Sequence, residues 1–501
     1  MKIHLEITNL TKFAAVTAIA FILLGASACA ETVYGFVTNI DSPTEFDVGS
    51  IHAVISKNAV CVLLSGRRIQ SVCNTKTVSV FSNVRLVGKE NNGIFVVDKF
   101  TVYDFALLAH QKNDGIILEE NPILSKSTQG LNGNIWMDGY PITITPKTRI
   151  ISDPEGTIFS FGYDLKYIGA KAQRPSKGLL QVTDASKLGE NACVVFHAER
   201  TPDGRLIAKD IQFWSNWIDP KEKKYDKKFV MAVHLPDYIK GISGTIQYQG
   251  ATPIVILPDK DIQDWVTNLG KTLIPAYQKN LLDSDATKIT FQFYVVHTFP
   301  ERFGKYFVET HSLMPNYQIL YWDKLSRDLY NRPSIDNFVH TIVAAPDGTI
   351  LIPDEILVEL RDSAQLATLL SVAITSIIQR QEYHTWPYFF HYYSYLLAAM
   401  NGPWQTHQAL RIGIRQMYLA GYDIREAPFA WAVAQGKPVN NPIINSKHPD
   451  QEIPWYAAYA FNYISQYYKD VDYSKLKKGE AEYQQFLDEL RKADPEAFEK
   501  K

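Results

Sequence analysis

The sequence predicts a multidomain protein: two small all-β barrels followed by an α+β, mainly helical domain. Three observations carry this reading. Short alternating apolar runs broken by Gly, Asn, Asp and Pro extend from about Thr32 to Trp217, helical spacing takes over after Asp259, and a charged stretch without an apolar face lies between. A chain of 501 residues, 46% hydrophobic and 21% charged, can build several cores. That composition excludes a disordered or collagen-like chain, and a formal charge of -2 gives no electrostatic reason to expect a nucleic-acid partner.

Residues 1–30 read as a secretory signal peptide. Lys2 and Lys12 precede an apolar run from Phe13 to Leu24, and the small residues from Gly25 to Ala30 lead into Glu31. A transmembrane helix needs about 20 apolar residues, more than this run supplies. Cleavage after Ala30 releases a soluble chain, whereas cleavage before Cys29 puts a lipid on that thiol and tethers the protein to a membrane. Both forms stay open; the expected location is exported, periplasmic or associated with the outer envelope.

Residues 31–110 form the first expected β-barrel module and 128–218 the second. A Gly-led strand opens each unit, Tyr34-Gly35-Phe36-Val37 and then Asn132-Gly133-Asn134-Ile135. Each closes on a hairpin: Arg85 to Val97 around Asn91-Asn92-Gly93, and Val194 to Ile211 around Pro202-Asp203-Gly204. The pattern resembles the small OB-like barrels of exported bacterial proteins. Cys61 and Cys73 bracket two strand-like runs around Gly66, so a disulfide across that hairpin is expected. Cys193 sits in the apolar run Ala192 to Phe196 and is expected to be a buried thiol. No pair has the C-x-x-C spacing of a metal or redox site.

Residues 219–228 alternate in charge and read as a linker. From 229 to 454 the pattern is α+β. Ile262, Trp265, Val266, Leu269 and Leu273 recur at helical spacing, Phe291 to Val296 reads as a buried strand, Pro346-Asp347-Gly348 as a turn, and Ser363 to Gln381 as a long apolar helix. Residues 455–501 carry the stripe Trp455, Tyr459, Tyr463 and Tyr467, then an amphipathic helix with Tyr483, Phe486, Leu487 and Leu490. The aromatics from Tyr383 to Tyr395 and this stripe read first as core packing, and second as a groove for an extended peptide, glycan or lipid.

From about Asp259 to Pro454 the chain resembles the gluzincin metallopeptidases of peptidase family M-48, the HtpX and BepA type. Four segments carry the resemblance: Ala345 to Ile352, Gln365 to Leu370, Arg411-Ile412-Gly413 and Ala420-Gly421-Tyr422-Asp423. It implies a zincin-like fold and a cleft edge at Gly348, Thr349, Ile350 and Leu351. It also locates an H-E-x-x-H helix, in which two imidazoles one turn apart hold zinc and the Glu activates water. Those positions fall on Val372, Ala373 and Ser376, and the third ligand and its neighbouring carboxylate fall on Thr406 and Leu410. None is a zinc ligand. The expectation is therefore an exported pseudopeptidase that binds or scaffolds an envelope protein or peptide, with no catalytic residue intact and no cofactor. Two alternatives are a divergent zinc peptidase using His384, His391 or His407, and a ligand-binding protein whose β-modules carry the function.

Overall fold

A computed structural model describes residues 30–65, 68–72, 78–104, 112–119, 125–127, 130–152, 180–181, 188–201, 205–218, 231–248, 253–297, 342–345, 347–381, 407–434, 445–446 and 455–499. The chain divides into two compact units, residues 1–105 with 443–452, and residues 106–442 with 453–501.

The first unit is a closed β-barrel. Strands β1 (Glu31–Ser42), β2 (Glu45–Val48) and β3 (Ile51–Ser65) form an antiparallel meander, and β4 (Arg68–Val72) folds back on β3. Strands β5 (Asn83–Asn91) and β6 (Ile94–Asp104) form a hairpin whose turn holds Asn92 and Gly93 at φ 51° and 80°. Such positive angles match the twist of a tight hairpin, and Asn and Gly adopt them cheaply. Because β6 runs parallel to β3 and β5 antiparallel to β1, the circuit β1-β5-β6-β3-β2 returns to its start. Alternation fills it: Val84 and Leu86 point inward beside Phe46, Phe95 and Phe100, while Arg85 between them is exposed. Cys61 is disulfide-bonded, and Cys73 lies outside the described residues. Asn445 and Ser446, far along the chain, add a short antiparallel pairing to Gly35 and Tyr34.

The second unit opens with an eight-stranded sheet that repeats part of this strand order, but among the described residues its path stays open, so the expected second barrel is not closed. Strands β7 (Lys112–Ile116), β8 (Ser125–Ser127), β9 (Gly130–Met137), β10 (Tyr140–Ile144), β11 (Arg149–Ser152), β12 (Leu180–Gln181), β13 (Ala192–Arg200) and β14 (Leu206–Ser215) make it up. The β13–β14 hairpin stands where β5–β6 stands in the barrel, and β7 pairs β13 as β1 pairs β5. Strands β10 and β11 both run parallel to β14, as the single β3 runs parallel to β6. The closing hairpins therefore correspond as expected, but the openings do not. Asn132 to Ile135 lie in β9, which pairs with β10 as β2 pairs with β3, so the counterpart of β1 is β7, upstream of residue 128.

The remaining described residues of this unit form a six-stranded sheet with helices. Its order is β15 (Met231–His234), β16 (Gly244–Tyr248), β17 (Ile254–Ile256), β18 (Gln292–His297), β20 (Thr349–Pro353) and β19 (Val343–Ala344). Helix α1 (Lys260–Leu273) starts at Asp259, whose carboxylate accepts from the Ile262 N–H, and buries Ile262, Val266, Leu269 and Leu273. Helices α2 (Ala276–Asn280), α3 (Asp354–Glu359), α4 (Ser363–Ile378), α5 (407–419), α6 (Ala427–Ala434), α7 (Trp455–Tyr467), α8 (Glu480–Ala493) and α9 (Glu496–Glu499) follow. Buried Asp362 caps α4 by accepting from the Gln365 N–H. The amphipathic α8 docks on α1, with the Phe486 and Trp265 rings stacked 4.1 Å apart. Among the described residues no helix is long and apolar enough to cross a membrane.

Candidate functional site

Helix α4 carries the positions at which the resemblance looks for zinc ligands. Val372 and Ala373 are buried and Ser376 is partly buried, its hydroxyl 3.3 Å from Gln381 Oε1. The next helix, α5, crosses α4 at this point. A Cβ placed on Gly413 would stand 2.8 Å from Val372 Cγ2 and 3.0 Å from the Val372 backbone nitrogen, so the two helices pack with no room for a larger residue at 413. Leu410 is fully buried one turn away, and Thr406 lies outside the described residues.

Helix α5 is anchored to the second β-sheet through Arg411. Its guanidinium donates to the Asp138 carboxylate at 2.6 Å, to the Asp138 carbonyl at 3.0 Å and to the Tyr459 hydroxyl at 2.7 Å, and lies 4.5 Å from the Tyr140 ring centre. Arg411 is 1% exposed and Asp138 2%, so neither charge could be left alone. Burial disfavours the charged guanidinium, but Asp138, Tyr140 and Tyr459 more than offset this and push its pKa well above the ordinary value. Asp138 and Gly139, at φ 54° and 74°, form the β9–β10 turn, and a Cβ on Gly139 would lie 2.7 Å from Arg411 Cβ. Only glycine fits that approach. The stripe on α7 closes the same core: Tyr463 hydrogen-bonds the Gly139 carbonyl, and Tyr467 stands edge-on to Tyr140 at 5.5 Å.

His407 belongs to this core. Its ring stacks on Tyr459 at 3.8 Å, and burial, aided by the Arg411 charge, lowers its pKa to about 3. A neutral imidazole beside a fixed guanidinium is a poor place for a cation. Gln379 at the end of α4 accepts from the Ile116 N–H and donates to the Ile116 carbonyl, completing the edge of β7 as a neighbouring strand would. His384 and His391 lie outside the described residues, as do the aromatics from Tyr383 to Tyr395.

The expected cleft edge is interior. Strand β20, from Thr349, is buried throughout and pairs with β18 on one side and β19 on the other, with Ile350 and Leu351 bonded to both neighbours. Among the described residues, the short β19 takes the place beside Ile350 and Leu351 where an extended peptide would add, and the turn at Asp347 and Gly348 leads into β20. Gly348 itself, at φ 94°, supplies the turn.

A second cluster was not legible in the sequence. His297 Nδ1 lies 2.6 Å from Asp354 Oδ2 and 2.8 Å from Asp494 Oδ2, bringing together the end of β18, the start of α3 and the end of α8. The bond to Asp354, then that to Asp494, raises the histidine to about 10. Burial pushes the Asp354 carboxyl up from the usual carboxylate range. The only sequence signal was the placement of His297 and Asp354 just after two buried strands.

Asp138 was also missed, although Met137-Asp138-Gly139-Tyr140 between apolar runs is a strong hairpin signal. No family model matches this chain, and no curated protein is similar to it.

Proposed function

We propose that this chain is an exported pseudopeptidase: a zincin-like, M-48-like helical module without zinc ligands, joined to OB-like barrels, that binds or scaffolds a protein or peptide of the cell envelope. The observation that carries the non-catalytic reading is the contact of Gly413 with Val372. Zinc hydrolysis needs two or three ligands around an open position, together with a base. At the corresponding place this chain has valine, alanine and serine against a neighbouring backbone.

The Arg411–Asp138 pair supports a scaffolding role in another way. It makes the second β-sheet and the helices one continuous core, which suits a rigid display surface better than a cleft that opens around substrate. Fractionation of producing cells, with intact-mass analysis of the mature chain, tests the export half of the reading. An envelope-associated chain that begins at Glu31, or at a lipid-modified Cys29, is expected. A cytoplasmic chain that retains Met1 to Ala30 would contradict it.

A further inference from the structure

We propose that His297, Asp354 and Asp494 form a binding site for a divalent first-row transition cation, with Zn2+ the best match to the donor set. Strands β18 and β20 are parallel, and Val296 pairs with Pro353. The next residues, His297 and Asp354, therefore emerge side by side at the carboxyl ends of two adjacent strands, the place where open sheets gather ligands. Asp494, the residue that ends α8, arrives from the opposite direction.

Three features point to an ion rather than a simple ion pair. First, both Oδ2 atoms are aimed at the same ring nitrogen, at 2.6 and 2.8 Å. A ring nitrogen carries at most one hydrogen, and one N–H cannot make two near-linear bonds of that length. Second, the side chains of Asp354 and Asp494 are only 1% and 5% exposed and hydrogen-bond each other, so one of the two acids must hold a proton there unless a cation takes its place. A dication with a neutral imidazole leaves the group without net charge. Third, the outer oxygens are already occupied: Asp354 Oδ1 accepts from the Glu355 N–H at 2.8 Å and Asp494 Oδ1 from the Ala497 N–H at 3.4 Å. Such outer contacts fix the carboxylate planes and turn each Oδ2 inward.

Mixed nitrogen and oxygen donors, three in number, suit zinc or its neighbours. Calcium and magnesium prefer more ligands, all oxygen, and cuprous ion prefers sulfur. With tetrahedral bonds of ~2.0–2.2 Å the donors would sit roughly 3.3–3.6 Å apart, so the present 2.6 and 2.8 Å separations must widen by roughly 0.5–1 Å. His297, 21% exposed at a strand end, has room to turn. The other His–Asp cluster, Asp41, Asp47 and His52, differs: its side chains are 30 to 44% exposed, and water already solvates them. A bound ion would pin helices α8 and α9 to the end of the sheet, adding its binding energy to folding.

The test uses the full mature chain, stripped with a chelator and dialysed against Zn2+ alone. One ion per chain is expected, raising the unfolding temperature. Asp494→Asn and His297→Gln should each weaken binding at least tenfold, whereas His52→Gln should leave it unchanged. X-ray absorption on the zinc-loaded unmodified chain should show nitrogen and oxygen ligands only, with one imidazole. This second measurement does not depend on the folding of any variant. No stoichiometric ion, retention of the ion in both variants, or a sulfur or multi-imidazole signature would overturn the proposal. A zinc found at His297 leaves the pseudopeptidase reading intact; one that persists in both variants and maps to Val372 defeats both.

Discussion

Gly413 of α5 rests against Val372 of α4 with no space for a side-chain carbon between them: a Cβ there would lie 3.1 Å from the Val372 Cα. This contact fixes the crossing of the two helices. Adding volume must push the helices apart. Gly413→Ala is expected to lower stability by ~1–3 kcal/mol, and Gly413→Val by more, through overpacking. Urea unfolding measures both; an unchanged midpoint would show that the helices do not meet there.

The Asp138–Arg411 pair spans 273 positions of sequence and is almost wholly buried. Asp138→Ala strands a guanidinium in the core and is expected to cost ~3–5 kcal/mol. Replacing both, as Asp138→Ala with Arg411→Met, should cost less than the single change. A double-mutant cycle in denaturant reads the coupling directly; additive losses would contradict it.

His407 makes stability depend on pH. Its folded pKa of about 3 lies below the ordinary value of 6.5, so between those values the unfolded chain binds the additional proton. The contribution is complete above about pH 6.5 and is lost as pH falls towards 3. His407→Gln should therefore flatten the stability profile across that window relative to the unmodified chain. Parallel profiles would show that the ring is solvated.

Phe486 stacks on Trp265 and is buried, so α8 is part of the fold rather than an appended tail. Phe486→Ala is expected to cost ~3–5 kcal/mol. Hydrogen exchange should then rise in α8 and at the start of α4, where Ser363 Oγ donates to the Gly479 carbonyl and the Ala364 N–H to the Lys478 carbonyl. Exchange confined to α8 would show that the two are independent.

Local chemistry was legible in the sequence, and distant chemistry was not. The helix from Ser363, the Asp347–Gly348 turn and the strand from Thr349 follow from apolar spacing and turn residues, and the structure has them. Strand β7 reads Lys-Asn-Asp-Gly-Ile, without alternation, because Gln379 and β13 supply its partners. The sequence pattern therefore places the opening of the second repeat in β9, two strands after β7. The cluster at His297 was equally hidden: it needs the parallel register of β18 with β20 and the return of Asp494, neither of which leaves a spacing to read. The cleft edge expected at β20 came from the resemblance alone, whereas the local turn at Asp347 and Gly348 folds Val343 and Ala344 back onto it.

The most direct test of the account is turnover. The full mature chain, supplied with Zn2+, is incubated with an unfolded protein substrate, and the products are followed by mass spectrometry with and without chelator. The account predicts no chelator-sensitive cleavage, and no difference between the unmodified chain and Val372→Ala. Chelator-sensitive cleavage that Val372→Ala or Gly413→Ala alters would contradict it.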